Sequence, residues 1–206
     1  MPDDDWTARY GATALVTGAS SGIGEQFARL LAARGLDLLL SARRVDRLQL
    51  LGRELEEVHG VSVRCQPCDL SEPADVAALI EAARELQLGL VVSNAGYGVA
   101  KGEYLSVPVE ELEAMYCANS IAPARIAHAL LPGMRERGRG AFLFTGSIEG
   151  ELAFPYSVGY AASKAFLHSL ALGLWQELQG SGVDVLLLAP GSTDTDAPIK
   201  QGISRD

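Results

Sequence analysis

Tyr160-Ala161-Ala162-Ser163-Lys164 sets a phenol and an amine four residues apart inside a segment that reads as helix. Four residues is a little over one helical turn, so both side chains leave the same face. A free phenol titrates near about 10 and is a poor acid at neutral pH. An ammonium beside it favours the phenolate, so Lys164 is expected to draw the Tyr160 pKa down toward working pH. Thirteen residues upstream, Ser147 follows the apolar run Ala141–Thr145, where its hydroxyl could bond the oxygen that Tyr160 protonates. Tyr-x-x-x-Lys also arises by chance on amphipathic helices, so its weight depends on the elements that precede it.

Those elements alternate. The apolar run Ala12–Thr17 reads as a strand buried on both faces, and it enters Gly18-Ala19-Ser20-Ser21-Gly22-Ile23-Gly24 directly. Ile23, Phe27, Leu30 and Leu31 then recur at helical spacing. Strand, glycine-rich turn and helix together form a dinucleotide pyrophosphate site: backbone N–H groups approach the phosphates, and the helix N-terminus adds partial positive charge. Gly18, Ser20, Ser21, Gly22, Ile23 and Gly24 are the expected contacts. The second strand, Leu36–Ser41, ends in Ala42-Arg43-Arg44, with no carboxylate to accept from a ribose 2′-OH. Two guanidiniums there fit a 2′-phosphate and predict NADP over NAD, with Arg43 as the favoured ligand and Arg44 beside it.

A helix is expected over Asp46–Val58, then a third strand at 61–66 leading to Asp69-Leu70. Ser71 is the expected N-cap of the next helix, with Pro73 in its first turn. The fourth strand, Leu88–Ser93, ends in Asn94-Ala95-Gly96, small residues that let a ligand approach the backbone. A long helical region from Pro108 to about 137 is expected to be irregular near Asn119–Pro123, since an interior Asn needs partners. The fifth strand is expected to end at Ser147. A helix over Val158–Gln179 carries Tyr160 and Lys164, and the sixth strand, Val183–Leu188, leads to Pro190-Gly191. The whole reads as one doubly wound α/β domain over residues 1–206, a mostly parallel sheet with helices on both faces.

A net charge of −9 argues against nucleic acid or an anionic membrane as partner, and no apolar run has the length of a membrane span. The acidic start Met1–Trp6 lacks the basic-then-apolar pattern of a signal peptide, reads as a frayed tail, and points to the cytoplasm. Cys65 and Cys68 form a C-x-x-C that lies on a strand, about 10 Å apart if extended, too far for a disulfide. Cys117 reads as a buried thiol. His59, His128 and His168 fall on separate helices, so no metal site is expected.

In order and spacing, Thr17-Gly18-x-x-x-Gly22-x-Gly24, Asp69, Asn94-Ala95-Gly96, Asn119, Ser147, Tyr160-x-x-x-Lys164 and Pro190-Gly191 resemble the short-chain dehydrogenase/reductase family over nearly the whole chain. The resemblance implies that Asp69 and Leu70 lie at the adenine, Asn94, Ala95 and Gly96 line the cofactor channel, and Lys164 holds the nicotinamide ribose. It also implies that Asn119 positions a water in a proton relay, and that dimers or tetramers form on the helices of Asn119 and Tyr160. The sequence departs from the family at Ser93, usually asparagine, and in having no counterpart to the helical cover and seventh strand that family members carry after strand six. An exposed sheet edge and an open substrate pocket are therefore expected.

The expected activity is NADP-dependent hydride transfer between a carbonyl and an alcohol. Tyr160 would be the general acid and base, Ser147 would hold the carbonyl oxygen, and Tyr97, Glu149, Leu152, Phe154 and Tyr156 would wall a mainly apolar pocket. The rival is a nucleotide-binding protein that kept the cofactor site without turnover; an intact Ser147 favours the enzyme. The outer face of the Tyr160 helix, with Phe166, Leu170 and Trp175, predicts at least a homodimer.

Overall fold

The computed structural model describes residues 5–191. Six strands form one sheet in the order β3-β2-β1-β4-β5-β6, every neighbouring pair parallel. They are β1 Thr13–Thr17, β2 Asp37–Ala42, β3 Val63–Pro67, β4 Leu88–Ser93, β5 Gly140–Thr145 and β6 Val183–Leu188. The helices are α1 Trp6–Tyr10, α2 Gly22–Ala33, α3 Val45–His59, α4 Pro73–Arg84, α5 Val109–Tyr116, α6 Ala122–Glu136 and α7 Val158–Glu177. One core packs Leu31, Leu48 and Leu55 of α2 and α3 against Leu38 and Leu40. The other packs Leu79, Ile126 and Leu167 of α4, α6 and α7 against Phe142 and Phe144. The chain moves outward from β1 to β3, then returns to β4 on the opposite side of β1. That reversal opens a crevice at the carboxyl ends of β1 and β4.

Local chemistry shifts several expected boundaries. Asp5 accepts from Ala8 N–H at 3.0 Å and starts α1, and Trp6 packs edge-on to Tyr10 with Arg34 over its ring. The expected tail thus contributes Asp5 and Trp6 to α1 and its cap, and the rest of it, 1–4, lies outside the described residues. Ser71 is not the N-cap of α4, which is Glu72. Its N–H and hydroxyl are committed to Asp69 Oδ1 at 3.0 and 2.8 Å, an Asx-type turn that competes with capping. β5 stops at Thr145, because Ser147 Oγ accepts from Glu149 N–H at 3.2 Å and begins a 3₁₀ turn, Ile148–Gly150. The irregularity expected near Asn119 is a π-turn, Cys117–Ile121, between α5 and α6.

Candidate active site

The crevice wall on the α2 side is built from backbone. Thr17 Oγ1, at the end of β1, accepts from Asn94 N–H (3.0 Å) and Ala95 N–H (3.1 Å), and Asn94 Nδ2 donates to Thr17 O at 3.2 Å. Gly18, at φ +69°, has no room for a side chain: a Cβ there would lie 2.9 Å from Ala95 Cα. A Cβ on Gly24 would lie 2.4 Å from Gly18 O, so the first turn of α2 can close on β1 only through glycine. Ser21 makes no side-chain cap. It accepts instead from Arg44 Nη2 at 2.6 Å, and the same nitrogen reaches Ser20 Oγ at 3.1 Å. Arg44 is fixed on the glycine-rich loop, while Arg43, 61% exposed, stands 3.5 Å from Asp69 and against the Tyr97 ring.

Burial pushes the Asp69 carboxyl up, but the Ser71 N–H and hydroxyl, with Arg43, outweigh it and hold it below its ordinary value. Burial, reinforced by Asp75 and Asp69, pushes the neighbouring Cys68 thiol up to about 12. Cys65 is also raised by burial, and its Sγ–H donates to Leu48 O. Both cysteines are free thiols and protonated at neutral pH, which leaves the C-x-x-C without a thiolate to react. Cys117 is also free, and partly rather than fully buried on the π-turn.

The opposite wall is built from buried polar side chains. Lys164, 3% exposed, donates from Nζ to Thr145 O at 2.9 Å, and burial brings its pKa down to about 8. Its Nζ lies 5.7 Å from the Tyr160 ring centroid. The Tyr160 phenol is raised, not lowered as expected. Burial pushes it up and outweighs the pull of the nearby Ser147 hydroxyl, and the Glu149 carboxylate pushes it further. Desolvation acts on both members of the pair, disfavouring phenolate and ammonium alike. Asn119, fully buried, accepts from Tyr97 N–H (3.0 Å) and donates to Tyr97 O (2.8 Å) and Ser163 Oγ (3.1 Å). It thereby ties the loop after β4 to α7 directly behind Gly96, where a Cβ would meet Asn119 Oδ1 at 3.0 Å and Lys164 Nζ at 3.2 Å.

Between the walls lies a cleft of about 500 Å³. It brings Gly18, Ser20, Ser21, Gly22, Ile23, Arg43, Arg44, Asp69, Leu70, Asn94, Ala95 and Gly96 to the same space as Ser147, Tyr160, Lys164, Pro190 and Gly191. Gly24 and Asn119 stand behind its surface. Tyr97, Glu149 and Phe154 line it as expected, whereas Leu152 and Tyr156 turn to solvent, 71% and 63% exposed. Sequence reasoning missed Thr145, Ile148 and Lys101; Thr145 was findable as the last residue of the strand before Ser147. Among the described residues no cluster of His, Cys, Asp and Glu could hold a metal ion, and no helix is long and apolar enough to cross a membrane.

A dinucleotide fits this donor set. The open N-terminus of α2 with Arg44 suits phosphate, Asp69 and Leu70 suit a base, and Lys164 has ammonium protons left for hydroxyls. With no side chain at Gly18 or Gly24, the turn stays tight and its backbone N–H groups face the cleft uncovered.

A family model for short chain dehydrogenases matches residues 12–204. The chain is 36% identical over 192 residues to a 7β-hydroxysteroid dehydrogenase of Clostridium sardiniense, covering 93% of this chain and 73% of that protein. It is 34% identical over 184 residues to a very-long-chain 3-oxoacyl-CoA reductase of Anas platyrhynchos, covering 87% of this chain and 59% of that protein. Among solved structures, a short-chain dehydrogenase from Sphingobium yanoikuyae in complex with NADPH superposes with a TM-score of 0.90 at 37% identity, covering 93% of this chain and 75% of that one.

Proposed function

This chain belongs to the short chain dehydrogenase family, and we propose that it interconverts a secondary alcohol and its ketone with NADP(H), Tyr160 serving as general acid and base. The observation that carries this reading is the convergence of Ser147, Tyr160 and Lys164 on one wall of the cleft, opposite the glycine-rich loop. A bound nicotinamide dinucleotide supplies the hydride in reduction and accepts it in oxidation. In reduction Tyr160 Oη gives its proton to the carbonyl oxygen, and in oxidation its phenolate takes the proton from the alcohol. A phenol raised by burial is protonated at neutral pH, the form that reduction needs. Ser147, on the same wall of the cleft, would hold the same substrate oxygen. Lys164 keeps one proton on Thr145 O and would offer the others to the cofactor's ribose hydroxyls. Asn119 retains a lone pair on Oδ1 for a water beside Lys164, which would reload Tyr160.

Arg44 on Ser20 and Ser21, with Arg43 nearby, supports NADP over NAD. Asn94, Ala95, Gly96, Pro190 and Gly191 would line the nicotinamide end of the channel. Residues 1–206 are read as one dinucleotide-binding domain, its two cores sharing one sheet. Phe166 and Trp175, 42% and 49% exposed on α7, support a homodimer; Leu170, expected beside them, packs partly on the core instead. The names of the steroid and acyl-CoA relatives support a substrate with a large apolar body.

The test is a panel of ketones with NADPH and with NADH, followed at the nicotinamide absorbance, beside titration of both cofactors. NADPH-dependent reduction of bulky neutral ketones is expected. No reduction across the panel would overturn the activity, and equal affinities would overturn the cofactor choice.

A further inference from the structure

Two loops flank the substrate side of the cleft, the one after β4 and the one between β5 and α7. They are joined twice. Lys101 Nζ meets Glu149 Oε1 at 3.3 Å, and Gly102 N–H donates to Tyr156 O at 3.0 Å. Tyr156 holds that carbonyl in place at φ +62°, a left-handed conformation that a bulky residue adopts only when its surroundings impose it. Glu149 is itself tightly held: Ser157 Oγ–H donates to its Oε2 at 2.5 Å, its N–H donates to Ser147 Oγ, and its side chain is 18% exposed. Lys101 and Glu149 both line the cleft with Ser147 and Tyr160.

We propose that the Lys101–Glu149 pair is the substrate-selecting latch of this site: it holds the two loops together, and it admits uncharged ketones bearing a hydroxyl near the carbonyl while turning away anionic ones. The proposal rests on the reading of the site as a carbonyl/alcohol oxidoreductase. A carboxylate has about four acceptor positions, and Lys101 and Ser157 occupy two, so Glu149 still accepts from a substrate hydroxyl. Lys101 could serve an anionic substrate, but Glu149 already neutralises it. The same carboxylate repels an incoming anion in a partly desolvated place, where screening is weak. Discrimination of this kind works by repulsion as much as by attraction. Removing the Glu149 charge would free Lys101 and largely erase the preference.

The experiment compares 2-hydroxyacetophenone with phenylglyoxylate, one aryl ketone carrying either a hydroxymethyl group or a carboxylate. The native protein is expected to favour the uncharged ketone by about tenfold or more in kcat/KM, and Glu149→Gln to bring the two within about threefold, mainly by lowering KM for phenylglyoxylate. Lys101→Met should widen the gap. A ratio unchanged in Glu149→Gln, or a native preference for the anion, overturns the selection. The latch is read without turnover, by hydrogen exchange at the Gly102 amide, which either substitution should speed by about fivefold. Unchanged exchange overturns the latch. A native protein that reduces neither ketone counts against the activity, and then oxamate binding to the NADP-loaded protein decides selection: tighter in Glu149→Gln supports it, equal overturns it.

Discussion

The α2 wall of the cleft and the Ser147 wall face the same space but are held by different forces. The α2 wall is assembled from short stretches of backbone. Gly18 and Ala19 N–H donate to Ser41 O at 2.7 and 3.2 Å, Thr17 gathers the amides of Asn94 and Ala95, and Gly24 leaves α2 in contact with β1. Its shape is set by what cannot fit. The Ser147 wall is assembled from side chains on separate segments, with Lys164, Asn119 and Ser147 buried: Lys164 and Asn119 are bonded to partners distant in sequence, and Ser147 to the Glu149 amide. Its chemistry is set by what has been taken out of water. A backbone-built wall binds largely through dipoles that side-chain truncation leaves in place, whereas a desolvated wall holds groups whose proton affinities are bent by burial.

That contrast can be broken most sharply at Tyr160. Tyr160→Phe deletes a hydroxyl from the desolvated wall and leaves the other intact, so turnover should fall by about 10² to 10⁴ while NADPH affinity stays within a few-fold. Stopped-flow turnover beside a binding titration checks both; a variant that keeps full activity removes Tyr160 from the mechanism.

Lys164 tests whether burial truly strains that wall. Its pKa is about 8 folded against 10.5 for a freely solvated lysine amine, so the unfolded chain binds more protons between those values. Stability therefore rises with pH through that window, and below it the folded protein carries the full penalty, about 3 kcal/mol at ~1.4 kcal/mol per unit. Lys164→Met is expected to be inactive yet more stable at pH 7, by about 1–3 kcal/mol once the lost bond to Thr145 is allowed for. Urea unfolding of both proteins should show the gap closing as pH rises above 8. A gap that grows would refute the depressed amine.

On the α2 wall the corresponding change is smaller. Arg44→Ala should weaken NADPH binding by about ten- to a hundredfold and scarcely alter NADH, with Arg43→Ala doing less because its guanidinium is exposed and shared with Asp69. Fluorescence titration of both cofactors distinguishes them, and a larger loss at Arg43 would reverse the assignment. The smallest effect expected is at Glu149. Removing its charge in Glu149→Gln takes away one of the influences that raise the Tyr160 phenol, so the pH profile for alcohol oxidation should move toward lower pH. Ser147 and Lys164 also face that phenol, and both remain in this variant. A profile displaced upward would mean that Glu149 acts on Tyr160 by some other route.

The sequence by itself determined the strands, the glycine spacing, the helix that sets Tyr160 and Lys164 on one face, and the disturbance at Asn119. These follow from local rules: period along the chain, the φ that glycine alone accepts, and the partners an interior amide requires. Even there, Ser71 was lost to Asp69 and the end of β5 to the Ser147 cap, because side chains compete for backbone over two or three residues. Only the tertiary structure decided that Arg44 rather than Arg43 lies on the glycine-rich loop, that Asn119 bonds Tyr97, and that Lys101 meets Glu149 across 48 residues. It alone decided that Tyr160 is raised where its spacing from Lys164 suggested the reverse. Spacing fixes which groups are neighbours along a helix; a proton affinity depends on how much water the rest of the chain has displaced around them, and desolvation is a sum over everything that packs.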